Sequence, residues 1–500
     1  MTKFFFKLVP ALTIGAIIVL FCWGMGFGKY FHLPPDGFHS GAQTDRASLV
    51  YNYWQENTTF LYPQVMENRN NSGIVGCEFP GLYYALALVF KFTGFSYEIY
   101  RLTVFLFYLI GLLSAYQIAR FYIKSIPALL ITFLWASSPI LCFYALNFLP
   151  DVPAMGLSML GWRLVLKQRK NKAKLIFGLF VFAAAGLLKA SYAIHLAVAV
   201  SIYIIENRKI QWKVLVSGLL SIGMVAGWYE WATYLNEKFQ NPHFLLAANP
   251  AENFPAFINL VHENWKVWQT EFYRMATLII IGMGLFWLIT KKIEQKLLRI
   301  ITLRLLFLGI VFYILFQKQF LYHDYYLIAF YPIIFFLILI AYMRLREVFL
   351  INWILRAIIL LVALSNFKYA KNQLAARHTA GNYHYQPAMP GIIEKYWEID
   401  SFLDQYVSKN TFIISAFDNN PNATLFFAKR KGVRIAKDFS DDLIEEIITA
   451  PKYPFILSND DEDLKSRLSN LGYALKNPID SFNGIKLYRN PSYLQNIKNK

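Results

Sequence analysis

The side chains able to do chemistry in this sequence stand at the edges of apolar runs. Asp45 and Arg46 lie in SGAQTDRASLVYNYW (40–54), Glu78 and Tyr83 in GCEFPGLYYAL (76–86) and Asp151 in NFLPDVP (147–153). Lys189 lies in GLLKASY (186–192), and His323, Asp324 and Tyr325 crowd YHDYYLIAFYP (322–332). A carboxylate in such a place can accept or orient the proton of a hydroxyl nucleophile, and a lysine or arginine can neutralise a phosphate. Plainer structural roles exist for each. Asp45 can favour the positive start of a juxtamembrane helix, and Asp151, held between two prolines, can cap one. Lys189 can snorkel to an interface, and the tyrosines can belong to an aromatic belt. The belt does not explain His323 and Asp324.

The elements that must position these groups are largely membrane spans. Of the 500 residues 56% are hydrophobic and 18% aromatic, with mean hydropathy +0.36. Ordinary soluble domains are roughly 45–50% apolar, and several windows here are long enough to cross a hydrocarbon core of about 30 Å. The formal charge of +18 sits mostly in short Lys/Arg clusters between apolar runs, the pattern of cytoplasmic loops and not of a nucleic-acid surface. Cys22, Cys77 and Cys142 are too scattered for a disulfide framework or a zinc site. The apolar stretch after Lys3 and Lys7 has no small-residue cleavage signal, so it reads as an uncleaved first span.

Spans are expected near 8–28, 100–119, 127–146, 152–166, 175–188, 191–206, 213–232, 275–290, 299–316, 326–343 and 350–366. Residues 29–97 form a long first external loop, in which 40–54 has helical spacing with Asp45 one turn from Leu49, and a polar, aromatic loop runs to 273. With the N-terminus inside, the basic clusters at 120–124, 167–174, 208–213, 291–299 and 344–346 all fall on the cytoplasmic side. Asp45, Glu78, Asp151, Lys189, His323 and Asp324 fall on the other. Ionisable groups near a bilayer are costly and tend to face a cavity or one another. Their gathering on one face is the main functional signal. Beyond 367, short apolar runs (TFIISAF, 411–417; YPFILS, 453–458) alternate with helical stretches (440–450, 461–473), as in a small α/β domain. The expected architecture is an all-α polytopic domain over 1–367, with about eleven transmembrane helices, followed by an extracytoplasmic α/β domain over 368–500.

The order of these segments resembles the GT-C glycosyltransferases. An Asp stands in a long first loop, a Glu-x-Pro segment with tyrosines follows, and SPILCFYALNFLPDVPA (138–154) opens a later span. An LLK hairpin (187–189) and YYLIAFYP (325–332) complete the series, and the chain is similar to the branch holding protein O-mannosyltransferases and the lipid A aminoarabinose transferase. The resemblance covers 1–345 and implies transfer of a sugar from a polyprenyl-phosphate donor to an acceptor hydroxyl, with inversion, at the extracytoplasmic face of a plasma (inner) membrane. It implies a protein or glycolipid acceptor. Asp45 matches the acidic residue at the family's catalytic centre, although many relatives have Asp-Glu where this chain has Asp45–Arg46. Asp151 and Glu78 are further catalytic candidates, either shaping the pocket or, with Asp45, holding a divalent cation. Lys189 and Tyr325 match positions used around the lipid phosphate, with Arg46 as a further phosphate candidate; His323, Asp324 and Tyr83 are added pocket candidates. A lipid-linked saccharide flippase or transporter and a membrane polysaccharide polymerase are the rival classes. The ionisable groups line one surface and not the bilayer centre, and no internal repeat is present, which favours the transferase.

Overall fold

The computed structural model describes residues 15–69, 72–167, 171–206, 212–241, 248–290, 294–348, 352–378, 394–418 and 420–493. The chain divides into two compact units. One takes in 1–33, 97–225 and 248–375, the other 34–96, 226–247 and 376–500.

The first unit is helical and apolar. Among the described residues, five helical stretches are long and apolar enough to cross a membrane: Tyr97–Ala119, Trp212–Lys238, Lys296–Leu315, Asp324–Val348 and Asn352–His378. Shorter apolar helices include Gly15–Met25, Ser125–Ala136 and Met275–Thr290. The part of the expected first span before residue 15 lies outside the described residues. Helices Tyr97–Ala119 and Asp151–Lys167 approach closely because Gly156 has no side chain; a Cβ there would fall 2.2 Å from the Phe107 carbonyl oxygen.

Three expectations are corrected in this unit. The run 127–146 is not one continuous helix, since a helix over Ser125–Ala136 stops and a short one restarts over Pro139–Tyr144. Pro139 forces Ser138 into an extended conformation (φ −106°, ψ 135°), which breaks the helix there. The stretch taken as loop up to 273 contains a helix, Phe254–Phe272, capped by Asn253, whose side chain accepts from the Ala256 amide. Its apolar residues recur at helical spacing (254, 257, 258, 261, 265, 268). The tenth span does not start as a helix of full pitch, because Asp324–Phe330 is a 3₁₀ turn leading into Tyr331–Val348.

The second unit holds a five-stranded sheet: β1 Ile413–Ala416, β2 Gly432–Ile435, β3 Phe455–Ser458, β4 Asp480–Phe482 and β5 Ile485–Arg489. Its order is β2-β1-β3-β5-β4, with β1 parallel to β2 and β3, and β5 antiparallel to β3 and β4. Helices Ala423–Ala428 and Asp441–Thr449 make the parallel crossovers. Ser440 caps the second of these, with Asp441 and Asp442 in its first turn. Ile414, Val433, Ile435, Ile444, Ile448, Ile456 and Leu468 form the core. Asn483 and Gly484, both with positive φ, make the β4–β5 hairpin turn. The edge strand β2 is covered by the first loop, since the Asn68 amide donates to the Gly432 carbonyl at 2.6 Å and Gly432 donates to Met66 at 3.2 Å.

Candidate functional site

The second unit builds one cluster around Asp45. Helix Ser40–Gln55 carries Asp45 and Arg46 side by side, with Arg46 Nη1 3.7 Å from an Asp45 oxygen. Arg46 also forks onto Glu78, Nε to Oε1 at 2.9 Å and Nη2 to Oε2 at 3.3 Å. The Tyr83 hydroxyl donates to the same Glu78 Oε1. Both Glu78 oxygens are therefore engaged, and both partners are buried.

Glu78 is placed by its neighbours in sequence. Asn236 bonds Gly76 twice, accepting its N–H at 2.7 Å and donating to its carbonyl at 3.0 Å. The Trp228 indole donates to the Cys77 carbonyl at 3.0 Å. Gly76 is required at this contact, because a Cβ would lie 1.7 Å from the Ala232 carbonyl oxygen.

Sequence reasoning missed the partner that faces Asp45 from the C-terminal domain. Asn422 Nδ2 donates to Asp45 Oδ1 at 2.9 Å, and Asn422 Oδ1 accepts the Glu67 amide at 2.8 Å. Asn422 itself is fully buried. Burial pushes the Asp45 carboxyl up to about 6, against the downward pull of Arg46, Asn422 and Asn420; Glu78 adds to the rise. Nearby Glu67 is pushed up to about 7 by burial, opposed by Arg434 and Arg69. It lines a cavity of about 250 Å³ together with Arg69, Phe239, Gln240, Arg434 and Phe439.

The first unit builds a second cluster around Lys189. Helix Lys172–Leu188 ends at Lys189, which is extended (φ −155°, ψ 118°) before a short 3₁₀ turn, Ala190–Tyr192. The ammonium is 3.5 Å from Asp151 Oδ1, at the start of helix Asp151–Lys167. It also sits 4.9 Å from the ring centroids of both Tyr325 and Tyr326, which stack at 5.2 Å. Tyr326 was not anticipated, although it adjoins Tyr325 in the sequence. The neighbouring Asp324 is fully buried and accepts from the Tyr144 hydroxyl, while His323 packs on Tyr325 at 5.3 Å.

The sequence-predicted residues thus fall into two sets. Asp45, Arg46, Glu78 and Tyr83 meet in one unit; Asp151, Lys189, His323, Asp324 and Tyr325 meet in the other. Among the described residues, no group of three or more His, Cys, Asp or Glu could hold a metal ion. Asp45 and Asp151 each have a cationic side chain beside them, Arg46 and Lys189 respectively. Neither set fits a divalent cation.

The chain has the fold of the GT-C membrane glycosyltransferases. Residues 78–231 match the family described as dolichyl-phosphate-mannose-protein mannosyltransferase, a stretch that includes Glu78, Asp151 and Lys189 and lies outside Asp45 and Tyr325. Among solved structures, the chain is similar to ArnT from Cupriavidus metallidurans bound to undecaprenyl phosphate, with TM-score 0.65, 12% identity, and 95% of this chain and 98% of that one covered. The apo state of that protein aligns at TM-score 0.63, 11% identity, over 96% and 99%. Archaeal oligosaccharyltransferase AglB from Archaeoglobus fulgidus, in complex with an inhibitory peptide and a dolichol-phosphate, aligns at TM-score 0.50 and 11% identity, over 88% and 69%. No curated protein matches by sequence.

Proposed function

We propose that the chain transfers a sugar from a polyprenyl-phosphate donor to an acceptor hydroxyl, with inversion at the anomeric carbon. The observation that carries this reading is the Lys189 ammonium, set at a helix break between Asp151 and two stacked tyrosines. A cation there, partly desolvated, suits a phosphate that gains charge as it leaves. The structural likeness to a protein bound to undecaprenyl phosphate supports the donor class.

In the reaction, the acceptor oxygen forms a bond to the anomeric carbon from the face opposite phosphate. The carbon–oxygen bond to phosphate breaks, and its electron pair leaves with the polyprenyl phosphate. The hydroxyl proton passes to Asp45, whose raised affinity for protons makes it a better base than an ordinary aspartate. Lys189, with Tyr325 and Tyr326 beside it, takes the departing phosphate, and Asp151 orients the lysine. Arg46 and Glu78 hold each other and set the rotamer of Asp45 (a positioning role, because Glu78 has both oxygens engaged). His323, Asp324 and Tyr83 line or support these groups. The acceptor is a protein or glycolipid hydroxyl. The charge asymmetry of the loops supports about eleven spans, with this chemistry and the C-terminal sheet on the extracytoplasmic side of a plasma membrane.

The test is incubation of purified protein with labelled polyprenyl-phosphate sugars and candidate acceptors. Transfer by the parent, and its loss in Asp45→Asn and in Lys189→Ala, is expected. Undiminished transfer by Asp45→Asn removes Asp45 from the chemistry. Donor that crosses vesicle bilayers without a product, or sugar joined into polymer, identifies the transporter or polymerase instead. Protease protection of the tail in right-side-out vesicles would overturn the sidedness.

A further inference from the structure

Asp45 is placed in the first loop by the sequence, yet the side chain bonded to it comes from position 422. Asn422 lies at the head of helix Ala423–Ala428 in the C-terminal domain, after β1. Both ends of its amide are engaged. The Nδ2 group donates to Asp45 Oδ1 at 2.9 Å while Oδ1 accepts the Glu67 amide at 2.8 Å, so the side chain cannot rotate without breaking a buried bond. The loop behind it is stiffened in turn. The Asn422 N–H donates to Asn420 Oδ1 at 3.0 Å, Asn420 N–H donates to Asp418 Oδ1 at 3.0 Å, and Thr424 N–H donates to Asp418 Oδ2 at 2.8 Å. Gly41, on the Asp45 helix, admits the Asn420 side chain, since a Cβ at 41 would lie 2.5 Å from its Nδ2.

We infer that Asn422 is a positioning residue for the transfer reaction, fixing the orientation and the ionised form of Asp45 from the C-terminal domain. The inference rests on the proposed role of Asp45 as base. An amide N–H aimed at a carboxylate oxygen favours the charged form and fixes which lone pairs remain for a hydroxyl. The C-terminal domain is then part of the catalytic apparatus and not an appendage. The charged and titratable groups around Asp45 are Arg46 on its own helix, Glu78 before helix Gly81–Thr93, Glu67 in the first loop and Asp418 in the Asn422 loop. Of these, only Arg46 shares with the asparagines the effect of favouring the anion.

The test compares the pH profile of transfer in the full-length parent, Asn422→Asp and Asn422→Ala. Asn422→Asp keeps an acceptor for the Glu67 amide and replaces the donor to Asp45 by a second carboxylate. Its acid limb is expected to move up by one pH unit or more. Asn422→Ala loses the donor without adding charge, and its limb is expected to move the same way by less. Activity well above the limb should recover toward the parental level in both. Parental acid limbs in both variants overturn the inference, as does a loss of rate that is equal at every pH, which marks a merely structural residue. If Asp45→Asn transfers normally, the underlying assignment of the base has failed; if Asp45→Asn is dead and the Asn422 profiles are parental, only the inference has.

Discussion

Replacing Asp45 by Asn should make the protein more stable and inactive at once, and the structure gives the size of the effect. A folded value of about 6 against the ordinary 3.8 means the ionised carboxylate is disfavoured by burial even with Arg46 and two amides assisting it. At about 1.4 kcal/mol per pH unit, that gap is a cost of about 3 kcal/mol at neutral pH. Asparagine keeps an oxygen to accept from Asn422 and removes the charge. The sign follows from proton linkage. The folded protein binds the Asp45 proton more tightly than the unfolded chain does, so acidification from pH 6 toward 4 relieves the cost, and rising pH restores it. The advantage of Asp45→Asn is therefore nearly full by pH 7, falls to about half, roughly 1.6 kcal/mol, at pH 5, to about 0.6 kcal/mol at pH 4, and vanishes near pH 3. Unfolding of parent and variant in detergent at pH 7.5 and pH 5, beside the transfer assay, measures it. A variant less stable than the parent at pH 7.5, or a difference that does not shrink at pH 5, refutes the reasoning about the site. In the parent, transfer itself should fall as pH drops through about 6.

Lys189→Met should cost about 3–5 kcal/mol of stability because it leaves Asp151 buried beside no ammonium. Adding Asp151→Asn should restore much of that stability by thermal unfolding without restoring transfer. Arg46→Lys keeps the charge and loses the two-pronged contact with Glu78; a loss of about 1–3 kcal/mol and a fall in the rate constant at unchanged donor KM are expected. Gly76→Ala should be destabilised by about 2 kcal/mol or more, through the Ala232 carbonyl 1.7 Å from the new Cβ. Gly484→Val, at a hairpin position with φ +81°, should cost about 1–2 kcal/mol, read as earlier melting of the sheet.

The chemistry-bearing residues were legible in the sequence because each interrupts an apolar run, where a charge needs a reason. The helix over Ser40–Gln55 and the strands at Ile413–Ala416 and Phe455–Ser458 were legible through their spacing. The breaks were less so. Pro139 announces the stop after Ala136, but a window tuned to bilayer length runs through it. The Asn483–Gly484 pair marks a hairpin turn, but β4 and β5 are too short and polar to show as apolar runs. Asn422 could not be found this way at all. Its partner lies 377 positions earlier, and an Asn beside a proline reads as turn chemistry for its own backbone. Long-range partners of a side chain leave no local period, so which carboxylate is tuned and which is merely held is invisible before folding.

That last distinction is what separates three carboxylates of similar sequence setting. Glu78 has a guanidinium fork on one side and a phenol on the other, so a proton or a substrate would have to displace an existing bond. Asp151 stands beside an ammonium that can offer its remaining donors elsewhere, so its effect is exerted through Lys189. Asp45 is given a neutral amide on one oxygen and a guanidinium at 3.7 Å that is already committed to Glu78. Its charge is thereby tolerated without being fully compensated, which is the condition under which a carboxylate attracts a proton near neutral pH. Replacing the amide by a full cation, as Asn422→Lys would, should deepen the compensation, lower the acid limb of transfer and slow the reaction above it, since a base made weaker in this way takes the acceptor proton less readily.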